Sequence, residues 1–196
     1  MKPKDLEAHA WRHGFRVGAF TLGLSLLLGS VSGYVVRAVP FFLAFLVLLA
    51  IVGLGILFDV MGVAVTVAEE PPLHAMAAKK VLGSRQAVRL LRHAPEVSNF
   101  CNDVVGDMAG TLSGAIGATI VFSLVRRYPM LKEEWVTLMV VAFISAVTVG
   151  GKAVSKHYSI KRANAITLKM GYALLVAERI IGQELLGGKN NTGGKK

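Results

Sequence analysis

The stretch FFLAFLVLLAIVGLGILFDVMGVAVTVA, residues 41–68, decides the fold of this chain. Its only charged residue is Asp59, and the other residues are apolar or small. An α-helix rises about 1.5 Å per residue and the hydrocarbon core of a bilayer is about 30 Å thick, so this stretch is long enough to cross a membrane. Residues 41–68 therefore predict a transmembrane helix.

Three further stretches share this apolar character: Val17 to Val36, Val104 to Val125 and Trp135 to Gly151. The chain of 196 residues is 54% hydrophobic with a mean hydropathy of +0.56, more than a soluble core of this length requires. We therefore predict an all-α polytopic membrane protein with four transmembrane helices. The first stretch could instead be a cleaved signal peptide ending at Ser30-Val31-Ser32, but its long apolar run favours a true span.

The placement of lysine and arginine predicts how these helices are oriented. Basic residues are concentrated in segments 2–16, 79–92 and 152–196, and only four of the 22 lie in the other two connections: Arg37, Arg126, Arg127 and Lys132. Basic residues in short loops stay on the cytoplasmic side, so we expect a multi-pass protein of the plasma membrane with both termini in the cytoplasm. The formal charge of +10 then reflects topology and attraction to anionic lipid headgroups, which argues against nucleic-acid binding.

Two short juxtamembrane helices are predicted between the second and third spans. Proline restricts the backbone of its neighbours, so Pro71 and Pro72 end the second span. A helix should then run from about Pro72 to Leu82 and stop at Gly83, after which Ser84 can cap the next helix. Both helices are expected to lie at the membrane interface.

The remaining segments flank the last two spans. Pro95 interrupts the second juxtamembrane helix, so the third span is expected to begin near Ser98 or Asn102. Apolar residues at spacings of three and four predict a C-terminal amphipathic helix over Ser159 to Leu186. The tail, Gly187 to Lys196, has no apolar residues and should be disordered.

Three ionisable residues lie within or at the inner ends of the predicted spans. Asp59, Asp107 and Lys152 each lie 17 or 18 residues from the outer end of their span. On straight helices these separations correspond to about 26 Å, which places the three residues at a similar level, toward the cytoplasmic side. Charged groups are costly to bury in a bilayer, so each of them is a functional-site hypothesis.

If these side chains meet, two carboxylates face one ammonium and one negative charge remains. That charge predicts a site for a cation or a proton formed by Asp59, Asp107 and the hydroxyl of Thr111, with Lys152 as a fixed counter-charge. Thr111 lies one turn after Asp107 and could instead bond back to its own helix. Alternatively, Asp107 and Lys152 lie near the inner interface and the ammonium of Lys152 reaches water.

Gly106, Gly110 and Gly114 recur every four residues in the third span. Small residues at that spacing let helix backbones approach closely, and we favour this packing role over direct binding of a cation by a glycine carbonyl. No Ser/His/Asp set, Walker loop or Cys/His cluster appears, so we predict that the chain is not an enzyme.

Three blocks of sequence carry a family resemblance. They are Phe-Asp-Val-Met-Gly-Val-Ala at 58–64, Gly-Asp-Met-Ala-Gly-Thr at 106–111, and Gly-Lys-Ala-Val-Ser-Lys at 151–156. In order and spacing they resemble the transmembrane domain of the CorC/CNNM magnesium transporter family, over roughly residues 57–181. The first is similar to the family's small-residue, serine and glutamate run, the second to its Gly-Asn-x-x-x-Asn stretch and the third to its Gly-Glu-x-x-Pro-Lys segment.

The resemblance implies a transporter-like fold over residues 41–186, a homodimer, and Mg²⁺ or another cation as ligand. Residues 1–40 would add an amphipathic segment and an extra span, and 187–196 the tail. The polar positions differ from the family's: Gly62 stands in place of glutamate, Asp107 and Thr111 in place of asparagines, Lys152 in place of glutamate, and Ser155 in place of proline. An ammonium at Lys152 would repel a divalent cation, and the CBS domains that usually follow are not seen.

Two functions remain open at this point. The first is a cation-handling membrane module built on Asp59, Asp107 and Thr111, for which a proton or a monovalent cation is easier to hold than Mg²⁺. The second is a non-transporting assembly or regulatory module, with a separate cytoplasmic protein partner, in which Lys152 replaces the bound cation. The resemblance in fold favours the first.

Overall fold

The computed structural model describes residues 40–183 and short stretches between residues 14 and 30, namely 14–15, 18–19, 22–23, 25–27 and 29–30. Seven α-helices and one π-helix form its continuous part: α1 (Phe41–Val67), α2 (Glu70–Ala78), α3 (Ser84–Arg92), α4 (Ala94–Asn99), the π-helix (Phe100–Gly106), α5 (Asp107–Arg127), α6 (Glu133–Lys161) and α7 (Ala163–Ile181). No strand occurs in the described residues. The all-α prediction is confirmed for this part of the chain.

Three helical stretches are long and apolar enough to cross a membrane: Phe41–Val67 with 27 residues, Ala94–Arg127 with 34 and Glu133–Lys161 with 29. Each exceeds the roughly 20 residues that a bilayer requires. They correspond to the predicted second, third and fourth spans and indicate an integral membrane protein. The predicted first span, Val17 to Val36, lies largely outside the described residues, as does the predicted tail.

The third span begins earlier than the sequence indicated. The helix starts at Ala94, and α4, the π-helix and α5 follow one another without a break up to Arg127. Pro95 occupies the first turn of α4, where a missing backbone N–H costs nothing because that donor has no partner within a helix. The proline therefore marks the start of the helix and does not separate it from the span.

The chain divides into two compact units. Among the described residues, the first unit holds those up to Phe58 together with Asn102–Ala153, and the second holds Asp59–Cys101 together with the residues from Val154 onward. In the first unit, Ala44 and Leu48 of α1 are buried against Ile116 and Ile120 of α5. Ile144 of α6 packs against the same cluster, so all three apolar helices contribute to this core.

Two apolar clusters hold the second unit together. One contains Val65 and Leu90, with Met170 of α7, and the other is built on Leu73 and Ala87. The buried positions of α7 follow one another at helical spacing, as predicted from the sequence, although the helix starts at Ala163 and not at Ser159. Residues 159–161 still belong to α6, because the chain leaves helical geometry only at Arg162, with φ −121° and ψ 27°.

The turn between α2 and α3 differs from the predicted one. Helix α2 ends at Ala78, and Lys80 adopts a left-handed conformation with φ +56°. The amides of Lys80 and Val81 donate to the carbonyls of Ala77 and Met76, each at 3.0 Å, which is the hydrogen-bond pattern of a Schellman motif. Glycine is the usual residue at this position, so a stop at Gly83 was predicted and the actual stop at a lysine was missed.

Helix α3 also begins differently from the prediction. Its N-cap is Gly83, with φ +81°, and no side chain caps the helix. Ser84 is already helical, and its hydroxyl donates to the carbonyl of Val81. The prediction that Ser84 caps α3 is therefore wrong, because the residue lies one position too late and its side chain closes the preceding turn.

The contact between α3 and α7 requires glycine on both sides. A Cβ atom at Gly171 would overlap the carbonyl oxygen of Gly83 and lie 2.5 Å from the backbone nitrogen of Ala87. A Cβ atom at Gly83 would in turn lie 2.5 Å from the backbone nitrogen of Tyr172. The two backbones therefore touch directly at this point.

Candidate membrane-embedded charged site

Asp59 is a buried carboxylate within an apolar helix. Only 7% of its surface is exposed, and it lies in α1, the most apolar of the three membrane-length helices. A buried ionisable group of this kind is unusual in a membrane span and is kept where it has a role. The prediction that Asp59 is buried is confirmed.

Asp107 and Thr111 lie one turn apart at the start of α5. Both residues are exposed on the surface of the chain. The Thr111 hydroxyl donates to the backbone carbonyl of Asp107 at 2.9 Å, so the proposed bond back to its own helix is present. A hydroxyl that donates in this way keeps its oxygen lone pairs, and these could still coordinate a cation.

Lys152 is half-buried near the inner part of α6. The residue before it, Gly151, is packed so closely on α1 that a Cβ atom there would overlap the Ile56 side chain. Because its neighbour is fixed in this way, the backbone that carries the ammonium is held against α1. A half-buried lysine has room to extend its charged end toward water, and both predicted positions of the ammonium therefore stay open.

The same turn of α1 also contacts α5. A Cβ atom at Gly55 would lie 2.8 Å from the Cβ of Ala109 and 3.8 Å from the carbonyl oxygen of Gly106. Gly106 and Ala109 flank Asp107 in sequence, just as Gly151 precedes Lys152. Within the first unit, one turn of α1 thus contacts the segments that carry Asp107 and Lys152.

Asp59 belongs to the second unit, whereas Asp107, Thr111 and Lys152 belong to the first. On the continuous helix α1, Asp59 follows Gly55 by four residues and therefore lies on the same helix face. That a carboxylate from α1 joins the other charged residues stays a prediction. Among the described residues, no group of three or more His, Cys, Asp or Glu side chains is arranged to hold a metal ion.

The structure shows one irregular segment that the sequence reasoning missed. The π-helix, Phe100–Gly106, directly precedes Asp107 and carries an exposed acidic residue, Asp103. Wider turns of this kind often occur at functional positions because they redirect the side chains around them. Asp103 precedes Asp107 by four residues, and this spacing of two acidic residues was the signal that could have drawn attention to the segment.

The glycines of the third span are not equivalent. Gly117 packs on α6, since a Cβ atom there would lie 2.6 Å from Cδ1 of Ile144. Within the part of the chain that the structure describes, a Cβ atom at Gly110 or Gly114 would meet nothing within 4 Å. The packing role predicted for small residues is thus seen at Gly117, whereas Gly110 and Gly114 contact no other described helix.

The sequence also did not reveal a polar contact that lies outside the predicted site. Arg89 of α3 forms an ion pair with Glu178 of α7, with 2.7 Å between the guanidinium and the carboxylate, and their side chains are 22% and 9% exposed. The amide of Gln86 donates to the same carboxylate at 3.3 Å. Glu178 continues the buried face of α7, and an acidic residue on such a face was the available signal for a buried partner.

The chain was also compared with known proteins, and no family model, curated protein or solved structure matches it.

Proposed function

We propose that this integral membrane protein is a transporter-like module that handles a small cation at a charged centre inside the membrane. The centre consists of Asp59, Asp107 and the Thr111 hydroxyl, with Lys152 as its fixed counter-charge. The protein is expected in the plasma membrane as a homodimer with both termini in the cytoplasm. Open space at Gly110 and Gly114 supports close approach of a second copy.

The observation that carries this proposal is the burial of Asp59 in an apolar helix. Moving a carboxylate from water into a low-dielectric interior costs several kcal/mol unless a partner compensates it. An ionisable side chain buried at such a position in a span marks a functional-site hypothesis. Cation or proton binding is the most direct gain that an intramembrane carboxylate offers.

The charges of the centre favour a monovalent cation or a proton over Mg²⁺. Two carboxylates and one ammonium leave a single negative charge, and the ammonium repels a divalent ion more strongly than a monovalent one. Mg²⁺ also requires about six oxygen ligands in near-octahedral geometry. Two carboxylates and one hydroxyl supply these only with added water or backbone carbonyls.

A second function is supported by the close packing of Gly151, the residue before Lys152, on Ile56 of α1. In this case the ammonium permanently occupies the place of the cation and neutralises the acidic residues as structural support. The protein would then be a non-transporting module that assembles with, or regulates, another protein on the cytoplasmic side. Both functions use the same residues, and they differ in whether the native centre responds to ions.

Thermal unfolding of the purified full chain in detergent distinguishes these functions. For the cation-handling module, we expect Na⁺ or K⁺ to raise the Tm relative to choline at equal ionic strength. The stabilisation should approach about 2.7 kcal/mol at a hundred times the dissociation constant. Asp59→Asn should abolish the response, while Glu96→Gln, at an exposed acid on α4, should retain it. A proton as the ligand would appear as a pH-dependent Tm that Asp59→Asn removes.

The Lys152→Glu variant provides the opposite test. For the non-transporting module, the parent should respond to no cation, and Lys152→Glu should gain stabilisation by Mg²⁺ because a third carboxylate replaces the ammonium. If the parent and Lys152→Glu are both insensitive to every cation and to pH, the charged centre binds no ion and both proposals for its role are wrong.

A further inference from the structure

The turn between α2 and α3 presents both basic and apolar side chains on the surface of the second unit. Lys79 and Lys80 are exposed, and so are Val81 and Leu82, which keep 40% and 64% of their surface accessible. The neighbouring core is already closed by Leu73 and other buried side chains. Val81 and Leu82 are therefore apolar residues that the fold of this unit leaves outside.

The backbone of this turn holds these side chains outward. On one side, Lys80 has a positive φ of 56°, which residues other than glycine rarely adopt, and its conformation is fixed by the two hydrogen bonds that end α2. On the other side, Gly83 lies against the backbone of Tyr172, and the Ser84 hydroxyl donates to the Val81 carbonyl. Leu82 cannot turn inward unless these contacts break.

The left-handed conformation of Lys80 is unusual for a residue other than glycine. Glycine would close the same turn without strain, so the fold of this turn does not by itself require a lysine here. What the lysine adds is a positive charge beside an exposed apolar pair. Backbone strain of this kind is common where a segment binds a ligand or a surface.

The charged side chains in the sequence on either side of the turn are all basic. Residues 71–95 contain five basic residues and no acidic residue. Arg85 and Arg92 are exposed, while Arg89 pairs with Glu178 inside the unit. The acidic residues nearest in sequence on the N-terminal side, Glu69 and Glu70, lie at the opposite end of α2, which is about 13 Å long. A negatively charged ligand would meet no acidic side chain from this segment.

The turn is also tethered close to a membrane-length helix. Helix α1 ends at Val67 and α2 begins at Glu70, so the connection is only two residues long. Adding the length of α2 keeps the turn within about 25 Å of the end of α1. A lipid headgroup layer at the end of α1 would therefore lie within reach of the turn.

We propose that residues 79–82 are an anchor for anionic phospholipid, in which Val81 and Leu82 insert at the boundary of the acyl chains and Lys79 and Lys80 bind headgroup phosphates. A basic and apolar segment binds an anionic membrane by this combination of buried apolar area and electrostatic attraction. The anchor holds α2 and α3 on the membrane surface. It is independent of the cation proposed above, since it shares no residue with the charged centre.

Fluorescence quenching in nanodiscs tests the anchor on the full chain. Bimane is attached to Leu82→Cys in a Cys101→Ala background, and the discs contain brominated phosphatidylglycerol or brominated phosphatidylcholine. We expect strong quenching by the anionic lipid and weak quenching by the zwitterionic one. In the Lys79→Gln/Lys80→Gly variant, the ratio of inserted to retracted turn should fall about 25-fold, because each lysine near an anionic surface contributes about five-fold.

Two matched variants separate lipid binding from a structural effect. Lys79→Arg/Lys80→Arg keeps both the positive charge and the left-handed backbone at position 80. It should therefore keep the preference for anionic lipid. Arg126→Gln/Arg127→Gln removes two exposed charges at the end of α5 and should leave quenching at position 82 unchanged. Equal quenching in both lipids, or none in either, would overturn the proposal. If added polyglutamate shields the bimane from an aqueous quencher while neither brominated lipid quenches it, the proposal is also overturned. That result would point to an acidic protein partner.

Discussion

Gly171→Ala should destabilise the protein severely, because it places a side chain where two helix backbones touch. The added methyl group would overlap the Gly83 carbonyl and lie 2.5 Å from the Ala87 nitrogen, and backbone atoms cannot move aside as a flexible side chain can. Overpacking usually costs about 1–3 kcal/mol, and at this contact we expect a loss at the upper end or beyond. The higher helix propensity of alanine returns only about 1 kcal/mol. Thermal unfolding should show a Tm lower by about 10 °C.

Gly53→Ala is the matched control for this variant. Gly53 is also a helical glycine, in α1, and among the described residues a Cβ atom there would meet nothing within 4 Å. Its Tm should equal that of the parent or exceed it slightly, since only the gain in helix propensity remains. If the two alanine variants unfold at the same temperature, the close contact between α3 and α7 is not present in the protein.

Arg89→Met should have the second largest effect. The substitution leaves the Glu178 carboxylate, which is 9% exposed, without the guanidinium that lies 2.7 Å away. Breaking a fully buried pair costs about 3–5 kcal/mol, and because Arg89 keeps 22% of its side-chain surface exposed we expect about 2–3 kcal/mol. Chemical or thermal unfolding of the purified chain measures this loss.

The double variant Arg89→Met/Glu178→Leu tests whether the loss comes from an uncompensated charge. Because it removes both charges and fills the space with apolar atoms, it should recover most of the stability. Arg85→Met removes an exposed arginine from the same helix and should change the free energy of unfolding by less than about 0.5 kcal/mol. A double variant as unstable as Arg89→Met would show that packing, and not charge, explains the effect.

Three of the four predicted spans could be located from the sequence because a bilayer imposes one simple requirement, and the first predicted span lies largely outside the described residues. Residues 41–68 were predicted as a transmembrane helix and α1 covers Phe41–Val67, since the length of an apolar run depends on no distant contact. The ends of α2 and α3 were harder to predict. There the helix stops at a lysine in a left-handed conformation, whereas sequence rules place the stop at the nearby glycine, Gly83.

Contacts between distant segments were only partly accessible from sequence. The burial of Asp59 could be predicted, because the residue stands alone in an apolar run. The ion pair of Arg89 and Glu178 was missed: Glu178 lies on the buried face of α7, which indicates a buried partner, but 89 residues separate it from Arg89 and no local pattern identifies the pair. The π-helix before Asp107 was also missed, since hydrophobic periodicity does not distinguish a π-turn from an α-turn.

The common level of the charged residues within the bilayer is the central claim, and depth measurement by spin labelling tests it most directly. One spin label at a time is attached at Leu57, Gly110 or Val149 in a Cys101→Ala background, and all three positions are exposed. They lie two or three residues from Asp59, Asp107 and Lys152, respectively, on the predicted outer side of each. Oxygen and nickel accessibility in liposomes should place all three labels within one helical turn of the same depth, about 5 Å. Depths that differ by more than about 10 Å, two helical turns, would contradict a shared charged centre.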